Sequence, residues 1–350
     1  MKKKILIALT ASLIISAVNT AFAAEDPDQS IKIDGSLYTQ WRSQRDSDLS
    51  SGHPDYTRNG FKALLTLNAE ASLNKNMDVY ARATYETLQH DWGTFMADYI
   101  DNNSQESAAV DAYGVKYKNA GFTYTLGKQY LTIGQGLIYD CNGYIGRHSA
   151  PYAVNITGKV GATDISIMAA KTDYQDGLKN DTFYALQGST DLSPKLNMGA
   201  MFAHVSYGDS TVAEYSLPKR NVNFYSGYGT YKLSDKAAIS AEFSHASSAS
   251  DNNGFQTTVS YKLDGKNSLA AGYYYIEDQA GIIDYNIAAM TTGLNSNAKG
   301  YLVSYTHQLN KNIKFSVADF NYQKINDTSV GDSGATGDRN RFYTTMTVTF

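Results

Sequence analysis

The chain consists largely of segments, each about ten residues long, in which apolar and polar side chains alternate. In the last segment, one face carries Phe342, Thr344, Met346, Val348 and Phe350, and the other carries Arg341, Tyr343, Thr345, Thr347 and Thr349. The same period of two recurs in residues 62–73 and 255–263. Because successive side chains of a β-strand point to opposite faces, this pattern predicts strands with one apolar and one polar face.

Short polar turns and long polar loops separate these segments in alternation. The turns lie at 74–76, 119–121, 161–163, 193–195, 234–236, 264–266 and 310–312, and the longer stretches at 43–59, 89–107, 277–297 and 324–340. Seven turns imply about eight hairpins. The predicted strands cover residues 31–43, 60–73, 77–88, 109–118, 121–130, 152–160, 164–172, 181–191, 196–206, 221–233, 237–247, 254–263, 267–276, 298–309, 312–323 and 341–350.

This layout is typical of a transmembrane antiparallel β-barrel with short periplasmic turns and long external loops. The strands of a soluble β-sandwich also alternate between apolar and polar residues. The regular order of short turns and long loops is therefore what distinguishes the barrel from the sandwich. In hydrocarbon every backbone N–H and C=O must be paired within the protein, and a sheet meets that condition only by closing on itself. We therefore predict a barrel of about sixteen strands, with apolar side chains toward lipid and polar ones around a lumen wide enough for water.

The N-terminus has the three parts of an export signal. Lys2, Lys3 and Lys4 precede an apolar stretch over residues 5–18, and a small-x-small cleavage site follows at residues 21–23. The apolar stretch is shorter than the ~20 residues that a membrane-spanning helix needs. We expect a signal over residues 1–23 and a single barrel domain over residues 24–350.

Charge, cysteine and aromatic content narrow the function classes. The formal net charge is −4, and loss of the signal lysines makes it −7, with 27 basic against 34 acidic residues. This acidity gives no indication of a nucleic-acid partner. The lone Cys141 excludes an intramolecular disulfide. Of the 43 aromatic residues, 28 are tyrosines, which favour membrane interfaces.

We predict two outward bands of aromatic anchors. Tyr117, Phe122, Tyr124, Tyr231, Tyr261 and Phe350 belong to the band near the short turns, and Trp41, Phe61, Tyr85 and Tyr275 to the band near the long loops.

In this layout the chain resembles the Gram-negative outer-membrane porins, in particular the general sixteen-stranded type. The resemblance rests on the export signal, on the terminal Phe350 of an alternating strand, and on the stretch 125–130 that leads into a long connection. The resemblance implies passive diffusion of small hydrophilic solutes, a homotrimer, contact with outer-membrane lipid and lipopolysaccharide, and recognition of the last strand by the barrel-insertion machinery.

The connection over residues 131–150 differs from the other long loops. It is richer in apolar residues than a water-facing loop, and four glycines let its backbone turn tightly. The resemblance implies a third loop that folds into the lumen and narrows it. An external loop packed on its neighbours is the alternative.

Alternation also sorts the charges by face. The predicted inner set is Lys32, Asp34, Arg42, Lys62, Glu70, Arg82, Glu86, Lys116, Lys159, Glu242, Lys262 and Arg341. By resemblance, Arg42, Lys62, Arg82 and Lys116 form a basic row at the constriction, opposed by Asp140 on the loop. Arg147 on the same loop is also predicted to line the constriction. Because it and the adjacent His148 weaken the acidic side, the sign of the ion preference stays open.

Other chemistry finds little support in the sequence. Six histidines and one cysteine lack metal-ligand spacing, and no Gly-x-Ser-x-Gly motif accompanies the adjacent His148 and Ser149. We expect no enzyme activity, cofactor or metal. A channel selective for sugars or carboxylates and a structural or adhesive barrel remain as alternatives to a diffusion porin. The predicted inward tyrosines, Tyr38, Tyr80 and Tyr343, form no run along one path.

Overall fold

The computed structural model describes residues 30–47, 56–90, 106–141, 150–172, 180–248, 250–282, 297–326 and 338–350. The predicted export signal, together with Arg147 and His148, lies outside these ranges. Among the described residues, no helix is both long and apolar enough to cross a membrane.

The described chain is almost entirely β-structure. Its strands are β1 (Ile31–Ser47), β2 (Tyr56–Asn74), β3 (Met77–His90), β4 (Glu106–Asn119), β5 (Phe122–Lys128), β6 (Thr132–Ile133), β7 (Tyr139–Asp140), β8 (Tyr152–Val160), β9 (Thr163–Lys171), β10 (Thr182–Ser193), β11 (Leu196–Ser206), β12 (Asn221–Lys232), β13 (Ala237–Ala246), β14 (Asn253–Lys262), β15 (Asn267–Ile276), β16 (Ala298–Asn310), β17 (Ile313–Lys324) and β18 (Asp338–Thr349). A single short helix in the described ranges, α1, covers Asp209–Glu214.

Sixteen strands form one closed antiparallel barrel, and β6 and β7 form a separate small ladder. The first and last strands close the barrel, in a register that runs from Ser36 opposite Thr349 to Ser47 opposite Asp338. A final pair of backbone bonds joins Gly35 to Phe350, at 2.9 and 3.0 Å. The predicted all-β barrel of sixteen strands is therefore confirmed.

The predicted segments match the barrel strands, with differences at their ends. β1 and β2 continue past the predicted limits at Ser43 and Gly60, because pairs such as Arg45 opposite Thr57 extend the hairpin into polar sequence. The strand predicted over 121–130 instead ends at Lys128, where the chain leaves the wall for the next connection.

The two faces of the wall differ in polarity as the alternation predicts. Large apolar side chains are exposed on the outer face, among them Ile33, Leu126, Ile167, Tyr184, Leu186, Phe202, Tyr225, Phe243, Val303 and Phe342. The residues between them point inward, and buried polar ones include Gln40, Lys62, Glu86, Ser226, Glu242, Gln256 and Arg341. Asp319 is an exception, since it lies between Val303 and Phe342 on the outer face.

A β-bulge on β4 reverses the facing of one acid. Arg82 pairs with Ala112 and Ala83 with Val110, so Asp111 is the extra residue. Strict alternation counted from Lys116 would point Asp111 outward, where a charge facing lipid is costly. The bulge instead turns it into the interior, where it accepts hydrogen bonds from Thr84 and Tyr130.

Five of the seven short turns each contain a local hydrogen bond of the same type. The side chain of Asn74, Ser193, Ser234, Asp264 or Asn310 accepts a hydrogen bond from the backbone N–H two residues later, at 2.7 to 3.2 Å. This Asx- or Ser-turn fixes the reversal without tertiary contacts. In the exposed turn at Asp264, bonds from Asn267 and Lys266 hold the carboxyl pKa below its usual range.

We predict that Gly35→Val weakens barrel closure. A Cβ at Gly35 would lie 2.6 Å from the Phe350 ring and 2.8 Å from the Thr66 carbonyl oxygen. Such overpacking should lower the free energy of unfolding by about 1–3 kcal/mol, measured by urea unfolding in lipid vesicles. Gly227→Val is the matched control, because nothing lies within 4 Å of a Cβ there. Equal losses in both variants would contradict the prediction.

Candidate functional site

A miniature hairpin follows β5, at the start of the connection predicted to fold inward. Thr132 pairs with Asp140 and Ile133 with Tyr139. Gly134 and Gly136 both have positive φ, at 65° and 94°, which a glycine adopts without strain. Two hydrogen bonds between Leu131 and Cys141 close the base. The Leu131 N–H donates to Cys141 Sγ at 2.9 Å, and the Cys141 N–H donates to the Leu131 carbonyl oxygen at 3.2 Å. We call residues 131–141 the inner hairpin.

The tip of the inner hairpin is held by one carboxylate of the wall. Glu242 points inward from β13 and is 1% exposed. Its Oε2 accepts hydrogen bonds from the backbone N–H of Gln135 at 3.0 Å and of Leu137 at 3.1 Å. Ser226 and Gln256 donate to the same carboxylate. A Cβ at Gly134 would overlap Glu242, so a glycine is required where the hairpin touches this anchor.

Apolar packing completes the contact between hairpin and wall. The inner hairpin contributes Leu131, Ile133, Ile138, Tyr139 and Cys141 to a cluster with inward residues of β8 to β13. Tyr139 lies with its ring centroid 4.8 Å from that of Phe183. The described part of the predicted inward loop therefore lies against the inner face of the wall.

A second segment, which follows β15, joins the inner hairpin inside the barrel. Ile282 donates its backbone N–H to the carbonyl of Ile138 at 2.9 Å. Ala280 packs in a cluster with Leu137 and Tyr274, and its carbonyl accepts a bond from Ser244. The pattern of turns and loops predicted that this segment belongs to a long external loop. The apolar residues of the stretch 277–297, Ala280 and Ile282 among them, were the available signal.

The other side of the interior, formed by β1 to β5, carries paired charges. Lys62 bonds Glu86, and both side chains are almost fully buried. Lys116 bonds Glu70 on β2. Arg82 lies 3.4 Å from Asp111, and its guanidinium lies 4.5 Å from the centre of the Tyr130 ring. Three of the four predicted basic wall residues thus have an acidic neighbour on the wall itself.

Two other residues predicted for the constriction, Arg42 and Asp140, are buried. Arg42 is 3% exposed and bonds the Tyr343 hydroxyl, with Arg341 nearby. Asp140, the predicted acidic counterpart, is 1% exposed and accepts a bond from Thr132 within the inner hairpin. Both side chains are almost fully buried, and their predicted roles at the constriction stay predictions. Strand alternation predicts the face on which a side chain lies, but not whether a neighbouring segment buries it.

Two recesses lie along the inner face. One of about 670 Å³ is lined by β5, β8, β9, β10 and β12, with Lys159, Asp164, Ser166, Gln187 and Tyr228 among its residues. The other, of about 450 Å³, is lined by β1 to β5 and includes Asp34, Glu70, Tyr80, Arg82, Lys116 and Tyr130. Both carry polar groups of either charge together with a tyrosine ring.

The predicted aromatic anchors lie on the outer face. Trp41, Tyr117, Tyr124, Tyr231, Tyr261 and Phe350 are each at least a third exposed. Two contacts link neighbouring strands, a T-shaped pair of Trp41 with Phe342 and a tilted pair of Tyr117 with Tyr124. Their predicted role in anchoring stays a prediction.

Comparison with solved structures places this architecture among porins. A mutant of Rhodopseudomonas blastica porin matches with a TM-score of 0.55 and 11% identity, over 92% of this chain and 100% of that one. OmpF of Salmonella typhi in complex with daunomycin matches with a TM-score of 0.61 and 13% identity, over 92% of this chain and 98% of that one. No family model and no curated protein matches the sequence. The chain has the fold of the sixteen-stranded porins.

We predict that Glu242 keeps Cys141 unreactive by holding the inner hairpin in place. Complete burial raises the pKa of the Cys141 thiol to about 12, so the reactive thiolate is scarce at neutral pH. Glu242→Ala removes the anchor and should raise the rate of maleimide labelling at pH 7.5 by about tenfold or more, as the thiol approaches its free pKa of ~8.5.

Two variants separate geometry from charge in this experiment. Glu242→Gln should label slowly, because the amide oxygen still accepts the two backbone bonds and the amide nitrogen can donate to Ser226. Asp164→Ala removes an inward acid from the same wall, where it pairs with Lys159 away from the hairpin. Fast labelling of the parent protein, or equal rates in Glu242→Ala and Asp164→Ala, would contradict the prediction.

Proposed function

We propose that this protein is an outer-membrane porin, whose lumen lets small hydrophilic solutes and ions diffuse passively across the membrane. The observation that carries the proposal is the polarity of the closed wall, with apolar side chains exposed outside and polar or ion-paired side chains inside. A soluble barrel would show the reverse, because its apolar side chains would fill the interior. The porin fold supports a channel in place of an enzyme.

The proposal includes the cellular setting of a porin. Residues 1–23 direct export, the barrel lies in the outer membrane of a Gram-negative-type cell, and lipid and lipopolysaccharide surround it. Phe350 ends an alternating strand, is exposed, and bonds Gly35 on the first strand, which fits a strand presented to the barrel-insertion machinery. Assembly as a homotrimer is part of the same proposal.

Within this channel the inner hairpin acts as the constricting loop. Its tip is fixed on β13 and its apolar side on β8 to β12, so it occupies one side of the interior. Permeating solutes would then pass along β1 to β5, beside Arg82, Lys116 and their acidic partners. Because each of these cations faces a nearby carboxylate, the field at the wall is small and the ion preference is weak.

The first test is the conductance of the purified protein in a planar bilayer. An open lumen passes a steady current in stepwise insertions, whereas a structural or adhesive barrel without a water path passes none. The Gly35→Val variant provides a folding control, because channel counts should fall with the fraction of closed barrel while the size of each step stays unchanged. Folded protein that inserts without current would refute the channel.

The second test concerns the wall charges. Arg82→Gln leaves the carboxylate of Asp111 without its cation and should shift the reversal potential toward cation selectivity, whereas Asp111→Asn should shift it toward anions. A unit charge ~8 Å from the ion path changes ion energies by ~0.5 kcal/mol in water, about twofold in local concentration.

The double variant is the internal control for this experiment. With both charges removed, the reversal potential across a salt gradient should return close to that of the parent protein. If neither single variant changes the potential, Arg82 and Asp111 lie away from the ion path.

A further inference from the structure

Seven lysines surround four short turns at one end of the barrel. The turns connect the consecutive hairpins formed by β10 to β17. The lysines lie in these turns or within two residues of them, and they are Lys195, Lys232, Lys236, Lys262, Lys266, Lys311 and Lys314. The same stretches contain three acids, Asp191, Asp235 and Asp264. Although the whole chain has a formal net charge of −4, this part of the mouth is positive. We call the seven residues the lysine arc.

The lysine arc is exposed and lacks the ion pairs found at the other short turns. Within the residues that the structure describes, no carboxylate lies at ion-pair distance from any of the seven ammonium groups. At the remaining turns, by contrast, Lys118 bonds Asp78 and Lys159 bonds Asp164. The protein therefore compensates its lysines on one side of this mouth and leaves them uncompensated on the other.

Three lysines of the arc point into the barrel. Lys232 and Lys262 end β12 and β14, and Lys314 is the second residue of β17. Next to each in sequence is an aromatic residue exposed on the outer face, namely Tyr231, Tyr261 or Phe315. Because successive side chains of a strand alternate between faces, the three ammonium groups face the lumen. Lys232 and Lys262 are two strands apart, ~10 Å at the spacing of a sheet, so both can reach one multivalent anion.

Backbone hydrogen bonds bring like charges together within the lysine arc. The N–H of Lys232 donates to the carbonyl oxygen of Lys195, and the N–H of Lys262 donates to that of Lys236, both at 2.8 Å. Neighbouring ammonium groups repel each other. A bound anion would offset this repulsion, and the low-dielectric wall of the barrel focuses the positive potential into the mouth.

We propose that the lysine arc is a binding site for compact polyanions, that is, solutes with several phosphate or carboxylate groups. Lys232 and Lys262 form its centre, because both point into the mouth and each has a second lysine beside it. The inference rests on the proposed channel function and adds a solute class to it. In the proposed orientation the site lies at the periplasmic end, where it raises the local concentration of polyanions. It is separate from the paired charges along β1 to β5.

The test is calorimetric titration of the purified protein with tripolyphosphate, in non-ionic detergent and dilute KCl. Replacing both central lysines, Lys232→Gln with Lys262→Gln, should weaken the affinity about tenfold or more, because two unit charges ~7 Å from a multivalent anion are lost. Lys232→Arg with Lys262→Arg should not weaken it, since arginine keeps the charge and also binds phosphate. Raising KCl from ~0.1 to ~1 M should also weaken binding by the parent protein about tenfold or more, because the screening length falls from ~10 to ~3 Å.

A matched double variant separates the site from the net charge of the chain. Lys75→Gln with Lys118→Gln removes two lysines from the same mouth, at the turns between β2 and β3 and between β4 and β5. Its affinity should stay within about threefold of that of the parent protein, because these lysines lie outside the lysine arc. No binding by the parent protein, or equal weakening in the two Gln double variants, would overturn the site.

Ion current through planar bilayers distinguishes this inference from the channel itself. Tripolyphosphate should block each inserted channel more strongly from one side of the membrane, and the Lys232→Gln, Lys262→Gln variant should lose this asymmetry. Equal block of the parent protein from both sides would contradict a site at one mouth. Absence of any current would refute the channel, whereas the calorimetric titration would still decide whether the site exists.

Discussion

Pairing of the backbone is the constraint on which the rest of this structure depends. An open sheet edge leaves a row of N–H and C=O groups that hydrocarbon cannot satisfy. The chain meets this demand by joining β1 to β18, down to the last pair between Gly35 and Phe350. Once the ring is closed, each strand has one face inside and one outside. The alternation of side chains then decides which chemistry meets water and which meets lipid.

The interior is asymmetric because the chain fills one side of it. The inner hairpin and the segment that contains Ile282 pack on β8 to β15 and bond each other. Glu242 is central to this arrangement, since a single carboxylate satisfies two backbone N–H groups of the hairpin tip. On the opposite side, ion pairs and tyrosines remain along β1 to β5. In the proposed channel, fixed packing on one side would direct solutes along the paired charges of β1 to β5 on the other.

The barrel was predictable from the sequence because its rules are local. Period, turn residues and strand length are all visible within ten to twenty residues, and so the strand number and the sidedness follow. The bulge at Asp111 was not predictable, because one extra residue changes the direction of an acidic side chain without altering the composition of the strand. The ion pairs between β2 and β3 and the anchor at Glu242 depend on which strands are neighbours and on how a loop returns, information that no single segment contains. The segment around Ile282 was misassigned for the same reason.

The side-chain bonds in the short turns bear on the order in which the barrel assembles. Bonds such as Asn76 to Asn74 and Lys266 to Asp264 join residues two apart, so a hairpin can nucleate before any distant strand arrives. The seam between β1 and β18 joins residues about three hundred positions apart, as in Thr39 with Met346. Closure of so long a chain loop is entropically the most demanding pairing. Hairpins should therefore form early, and the seam should be the last ladder to zip and the first to fray.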